Sequence, residues 1–282
     1  MKMLPGYFRK KNSPEVPAEL SKKIKRLSCN GIKRAIFDLD NTILNGDIGD
    51  ALFCRIKNLE LRERVKTDGS LIDLTWDEYQ SMISRGQKES AYKRVVECMK
   101  NVPVNLIADL TRELMNSDFR FLEHSGEKIS IPHVDTGIRV LVSLLKKENY
   151  DINVISASNS ISVKIVAEEY LGLQKSKVFG VESEFVEYEG GKLKLTGKLK
   201  EPVPVNNGKA ELYHVAFGDE LPLITAGDSE LDFPMLDLVC EGGIVLWRGE
   251  EGSVFEKLRN LIGERAEVIS LLKFGFGQGA AK

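Results

Sequence analysis

Apolar residues at Leu20, Ile24 and Leu27 recur at helical spacing, which predicts a short helix over 18–27. A brief apolar run follows, Ala35, Ile36 and Phe37, and predicts a buried strand. From about Asp47 to Ser130 the pattern is helical and rather polar. Helices are expected near 47–65, 76–84, 88–100 and 104–117, with breaks at KTDGS and NVP. Beyond Val134 the periods alternate. TGIRVLVSLLKK predicts an amphipathic helix, YDINVISASNS a strand entering a polar turn, and SVKIVAEEYLGL a helix closed near Gly172. VESEFVEYEGGKLKLTGKLK alternates on either side of Glu189, Gly190 and Gly191, as a hairpin does. GKAELYHVAF then reads as a helix, PLITAGD as a strand, ELDFPMLDLV as a helix and GGIVLWRG as a strand.

Strands alternating with helices imply an α/β fold, a doubly wound Rossmann-like parallel sheet covered on both faces. Ligands of such sheets bind at the carboxyl ends of the strands. Polar residues stand at those ends here: Asp38 and Asp40 after one strand, Ser156, Ala157 and Ser158 after another, Gly227 and Asp228 after a third. Lys209 opens an intervening helix. Buried carboxylates one residue apart repel and need a cation. With Asp228 they form an oxygen-rich site suited to Mg²⁺, which takes a few protein oxygens, waters and a substrate phosphate. The Ser156 hydroxyl and the turn after it suit phosphate oxygens, and Lys209 adds a point charge for the same dianion. One aspartate can then attack phosphorus while the other moves a proton.

Composition narrows the classes little further. The chain has 282 residues, 42% of them apolar, and a net charge of −2, which points away from nucleic acid as a partner. Its bases are uneven: residues 1–34 carry ten Lys/Arg against Glu15 and Glu19, as a solvated helix and arm would, or a contact for an anionic partner. The four cysteines and three histidines are scattered, so neither a disulfide framework nor a transition-metal cluster is expected. No run has the length of a membrane span or a secretory signal core, and a cytoplasmic location is the expectation.

FDLDNT, VISAS, NGKAEL and AGDSELDFPML, in that order, resemble the four motifs of haloacid dehalogenase superfamily phosphatases. SAS, the Leu171-Gly172 pair, LTGKL and GK resemble the branch that holds phosphoserine phosphatase and bacterial phosphocholine phosphatases. The resemblance covers roughly residues 32–250 and implies a core of 1–46 and 131–282 with a helical cap, 47–130, inserted after the first strand. It implies Asp38 as nucleophile and Asp40 as general acid/base. Ser156, Ala157 and Lys209 would hold the phosphoryl group. Mg²⁺ would take the Asp38 carboxylate, the Asp40 backbone carbonyl and the Asp228 carboxylate, with Asp232 supporting it through water and Thr42 bracing the loop. The implied partner is a small phosphate ester.

Simpler roles stand beside these. Asp232 is also a first-turn helix acid, and Lys198 and Lys200 are alternatives to Lys209. Asp47 lies nine residues after Asp38, where phosphoserine phosphatases bind the substrate amine, and it is equally placed to cap a helix. A carboxylate-bearing substrate would need an arginine, for which the cap region offers Arg62, Arg64 and Arg85. A quaternary amine would want aromatics, for which it offers Phe53, Trp76, Tyr79 and Tyr92, residues equally suited to a cap core. Asn41, and Ala157-Ser158-Asn159 after the motif serine, depart from the phosphoserine phosphatase pattern and weigh against strict phosphoserine specificity. Against a phosphatase stand a phosphotransferase or mutase using the same aspartyl phosphate, a metal-independent dehalogenase, a far shorter receiver module and a silent binding protein.

Overall fold

The computed structural model describes residues 15–28, 32–63 and 73–276, with the backbone alone for 60–63. Its centre is a six-stranded sheet. The strands are β1 (Arg34–Phe37), β2 (Asp151–Asn159), β3 (Val178–Val181), β4 (Ile224–Gly227), β5 (Ile244–Trp247) and β6 (Glu267–Ser270). They run parallel in the order β6-β5-β4-β1-β2-β3. From β1 the chain moves outward to β2 and β3, then returns to the other side of β1 as β4. The strand order therefore reverses at β1, and crevices in such sheets open at that point.

Alternation along the strands covers both faces. Ala35 and Phe37 enter one apolar cluster, and Ile36 enters the other. The first cluster takes Leu20 and Ile24 from α1 (Ala18–Arg26) and, from α6 (Thr136–Lys147), Ile138 and Leu141. The second takes Tyr213 from α8 (Asn207–Phe217), Met235 from α9 (Phe233–Leu236) and Phe255 from α10 (Ser253–Ile262). Helix α1 also spends part of the N-terminal basic charge inside the chain: Lys23 pairs with Glu19 and Glu267, and the buried Arg34 pairs with Asp151. The bases at 2 and 9–11 lie outside the described residues.

Between β1 and α6 the chain leaves through Leu44–Asn45 and comes back through His133–Val134. These two short strands pair antiparallel, Leu44 with Val134 and Asn45 with His133. Among the described residues four helices lie between them: α2 (Ile48–Glu63), α3 (Trp76–Ser84), α4 (Lys88–Glu97) and α5 (Val104–Met115). Their sequence bounds were close, and Thr75 starts α3 with a reciprocal capping box to Glu78. The expected break at KTDGS lies outside the described residues. A hairpin, Phe121–His124 with Glu127–Ser130, occupies a stretch expected to be helical. Ser125 and Gly126 turn it with φ of 50° and 81°, the left-handed geometry of a two-residue hairpin loop. Its strands are mostly exposed, so they carry no apolar alternation to read.

The inserted helices lean on a second hairpin, Ser183–Tyr188 with Lys192–Leu199, where Asn101 N–H donates to Leu195 O at 2.8 Å and Leu195 N–H to Val102 O at 3.0 Å. α7 (Ser160–Ile165) follows β2 and widens into a π-turn, Val166–Tyr170. Its Ser162 hydroxyl meets Thr111 of α5 at 2.7 Å, a second polar tie between insertion and sheet.

Candidate active site

Asp38 directly follows β1, and its N–H donates to Ala226 O of β4 at 2.9 Å. That bond fixes the first acid at the centre of the sheet's carboxyl edge. Asp228 directly follows β4, so the two acids are neighbours through strand pairing. Asp232 arrives from the turn after β4 and lies against Gly227, where an added Cβ would meet its carboxylate carbons and oxygen at 2.7–2.9 Å. A side chain at 227 would push Asp232 out. Oδ2 of Asp232 accepts the N–H groups of Asp228 at 3.1 Å and Ser229 at 3.0 Å. Its Oδ1 accepts Lys209 Nζ at 2.5 Å, and the same ammonium donates to Asp38 Oδ1 at 2.7 Å. Thr42 donates its hydroxyl to Asp228 Oδ1 at 3.2 Å.

Asp38, Asp228 and Asp232 each bring a carboxylate oxygen within 4.8 Å of the others. Three carboxylates against one ammonium leave two negative charges in a buried place. Burial pushes the Asp228 carboxyl well above the ordinary carboxylate range, with repulsion from Asp232 and Asp38 adding to it. Burial likewise raises Asp38 against the pull of Lys209. Burial alone would lower the Lys209 ammonium, but Asp232 and Asp38 outweigh it and hold it above its usual value. An all-oxygen donor set with two uncompensated charges fits a hard divalent cation such as Mg²⁺.

Asp40 points elsewhere. Its Oδ1 accepts the N–H of Ile48 at 2.8 Å, and its Oδ2 accepts the hydroxyls of Ser156 at 3.1 Å and Ser158 at 2.8 Å. Burial, then the neighbouring Asp47, pushes its carboxyl up to about 7, while the three donors oppose the shift. A carboxyl poised there exchanges protons readily near neutral pH. The loop that carries it turns at Asn41, whose φ of 55° is a left-handed value that asparagine accepts.

Beyond Asp40 lies a closed chamber of ≈ 10 Å³, room for about one water. Asp47, Asp50, Tyr79 and Tyr92 line it from the insertion, and Ala157 and Ser158 from the sheet. Tyr79 donates its hydroxyl to Asp50 Oδ1 at 2.7 Å. Burial and mutual repulsion push Asp47 up to about 8. Burial raises Asp50 to about 6, with Tyr79 pulling the other way. An open cleft of ≈ 680 Å³ approaches Asp228 from outside, between Lys88 and Glu89 on the insertion and Asn206, Ser229 and Trp247 on the sheet side.

Each residue singled out in the sequence can now be placed. Asp38, Asp228, Asp232 and Lys209 converge, with Asp40 and Ser156 bonded to each other beside them. Ala157 lines the chamber. Asp47 is both a helix cap, accepting Asp50 N–H at 2.9 Å, and a chamber wall. Lys198 and Lys200 sit on the second hairpin, paired with Glu184 and Glu182. Arg85 is exposed and lines a different cleft with Arg94 and Asp77, the Arg62 side chain and Arg64 lie outside the described residues, and among the described side chains no arginine lines the chamber. Phe53, Trp76 and Tyr79 pack on one another at centroid distances of 5.5–6.0 Å as core of the insertion, and only Tyr79 of these three reaches the chamber. Three contributors went unselected in the sequence. In the sequence Ser158 reads as part of a strand end and of a departure from the phosphoserine phosphatase pattern, Asp50 only as part of a helix, and Arg248 only as the end of a strand. The second acid three residues after Asp47, one helical turn on, was the available signal for Asp50.

Comparison with known proteins agrees with this geometry. The sequence model of the haloacid dehalogenase-like hydrolases matches residues 35–237. No curated protein gives a significant match. A solved structure from Bordetella pertussis Tohama I superimposes with a TM-score of 0.58 at 20% identity, over 86% of this chain and 100% of its own. One from Anaerococcus prevotii gives 0.56 at 16%, over 87% and 89%. A substrate-bound phosphoserine phosphatase gives 0.52 at 18%, over 87% and 99%. At these identities the structures share the fold.

Proposed function

The chain belongs to the haloacid dehalogenase-like hydrolases, and from that premise we propose that it hydrolyses a small phosphomonoester through an aspartyl phosphate on Asp38, with Mg²⁺ as cofactor. The observation that carries the reading is the division of labour between two acids two residues apart. Asp38 accepts from an ammonium beside two further carboxylates, while Asp40 accepts from two hydroxyls and an N–H, with the Asp47 carboxylate nearby. The first environment suits a nucleophile, the second a proton carrier.

Asp38, Asp228 and the Asp40 backbone carbonyl would hold Mg²⁺, with Asp232 behind them. When bound, the ion neutralises charge on the phosphoryl oxygens. Lys209 adds one positive charge from the Asp38 side. Ser156, now donating to Asp40, turns its hydroxyl to a phosphoryl oxygen when the ester binds. A carboxylate oxygen of Asp38 attacks phosphorus, the bond from phosphorus to the ester oxygen breaks, and protonated Asp40 gives its proton to that leaving oxygen. Asp40, now a carboxylate, takes a proton from water. The water oxygen attacks phosphorus, inorganic phosphate leaves, and Asp38 returns as a carboxylate. The inserted helices act as a cap: the chamber has room for about one water here, so the cap moves outward to admit the ester and settles over it with a wider chamber than this structure has.

The chamber's chemistry supports an amino-alcohol phosphate as substrate. Two acids and two tyrosines face the ester's organic end, which suits an ammonium or quaternary amine. Phosphoserine would bring a carboxylate toward Asp47 and Asp50, and among the described residues no base lines the chamber to receive it, so phosphoethanolamine and phosphocholine fit better. The test is kcat/KM for these three and a neutral ester of similar size, with Mg²⁺, on wild type and on Asp47→Asn. Preference for the amines, reduced only for them in the variant, is the expected result. Equal loss on all substrates would reduce Asp47 to a helix cap. No phosphate release from any ester would end the phosphatase reading, and transfer to added alcohols in place of water would make the protein a phosphotransferase.

A further inference from the structure

Arg248 follows β5 and is one of the few buried bases among the described residues, with a relative exposure of 6%. Its backbone N–H donates to Gly227 O at 2.9 Å, which pins it beside the Asp228 turn. From there the guanidinium crosses to the loop after β1. Nη1 donates to Thr42 O at 2.6 Å and Leu44 O at 2.7 Å. Nη2 donates to the Asn45 side chain and to Asp135 Oδ2 at 3.2 Å.

Those acceptors are not scattered. Thr42 closes the loop that begins with Asp38 and Asp40. Leu44 and Asn45 form the strand by which the chain enters the cap, and Asp135 follows the strand by which it returns. Asp135 Oδ1 also caps α6 by accepting Ile138 N–H at 3.0 Å. One side chain therefore holds the nucleophile loop, both cap connections and the metal-side turn to a single point. Lysine could not span these acceptors, because the planar guanidinium fork alone offers several donors in fixed directions. Burying the charge is costly, and an apolar side chain would pack the position more cheaply. A charge kept there despite the cost points to geometry that the acceptors require.

We propose that Arg248 is a positioning residue, a clasp that registers the Asp38–Asp40 loop and the two cap connections against the Asp228 turn. The proposal rests on the reading of Asp38 as nucleophile only for its kinetic consequence. The loop's internal bonds report its order directly: Ile43 N–H to Leu39 O at 2.8 Å, Leu44 N–H to Leu39 O at 2.9 Å and Asp135 N–H to Ile43 O at 3.1 Å.

The test compares Arg248→Gln and Arg248→Lys with wild type by amide hydrogen exchange and by steady-state kinetics on the best ester of the panel. In Arg248→Gln the amides of Ile43, Leu44 and Asp135 should exchange about tenfold faster or more, while those of β1 and β4 stay as protected as before. The kcat should fall about 10²-fold from misplacement of the nucleophile, with KM within about threefold. Arg248→Lys, which keeps the charge and part of the donor set, should recover part of both losses. If the glutamine variant does not fold, the lysine variant alone decides by the same local exchange. Unchanged exchange at the three amides, loss of protection spread evenly over the molecule, or unchanged kcat despite local loosening would each overturn the clasp. A wild type that turns over no ester would sink the proposed function, while the exchange result would still decide the clasp.

Discussion

The two acidic regions at the carboxyl edge of the sheet are balanced differently. Around Asp38, three carboxylates cluster beside one ammonium, Lys209, which bonds Asp38 and Asp232. In the chamber, among the described residues, Asp47 and Asp50 have no base beside them; a tyrosine hydroxyl and backbone N–H groups are their donors. The first region is built on sheet ends fixed by strand pairing. The second joins the start of α2 to residues of α3 and α4 and to the end of β2. On the proposed function, the built-in countercharge serves the chemistry common to every turnover, and the chamber is left for the charge of a particular substrate.

The largest expected effect breaks the first region. Asp38→Asn should lose turnover on the order of 10⁴–10⁶-fold, as loss of a nucleophile does, with no acid-stable phosphoenzyme and an unchanged far-ultraviolet dichroism spectrum. Turnover at wild-type rate would move the nucleophile elsewhere. Exhaustive chelation should abolish activity, and Mg²⁺ should restore it.

A smaller loss is expected between the regions. Asp40→Asn should slow turnover by about 10²–10⁴-fold, since its carboxyl is already held near neutrality for proton transfer. An ester with an acidic leaving alcohol needs less help from the proton, so the penalty should shrink with such a substrate. A penalty independent of the leaving group would deny Asp40 the acid role.

Asp50→Asn should cost about tenfold to 10²-fold in kcat/KM on amine substrates and leave a neutral ester nearly untouched, because only the amine loses a partner. Tyr79→Phe should follow in the same direction, more weakly. Loss on both substrate classes would assign Asp50 to the packing of α2 and not to selection.

The smallest effect is on stability, and its sign is the informative part. Burial raises the Asp50 carboxyl to about 6, above its unfolded value near 4, so the folded state holds the proton more tightly. Its contribution to stability is present below pH 4 and is lost as pH rises through about 6. At pH 7.5 Asp50→Asn should therefore raise the unfolding free energy by an amount on the order of 1 kcal/mol, discounted for its partial exposure. At pH 4 the difference should vanish. An equal or lower melting temperature at pH 7.5 would mean that Asp50 already has a cationic partner.

What the sequence determined by itself is the sheet edge and its first-rank chemistry. Asp38, Asp40, Ser156 and Asp228 sit where apolar runs end, and a parallel sheet aligns the ends of its strands, so local pattern suffices to gather them. Lys209 and Asp232 needed only the order of elements around the strands. The tertiary structure decided the rest, because it depended on contacts between segments with no periodic signal. The hairpin at 121–130 is mostly exposed and so lacks alternation. The meeting of Asp50 with Tyr79, 29 residues away, follows from how α3 packs on α2. Arg248, bonded to Thr42 across 206 residues, reads in the sequence as one more base after a strand. A guanidinium's partners are set by where the backbone of distant loops exposes its carbonyls, and only the folded chain fixes that.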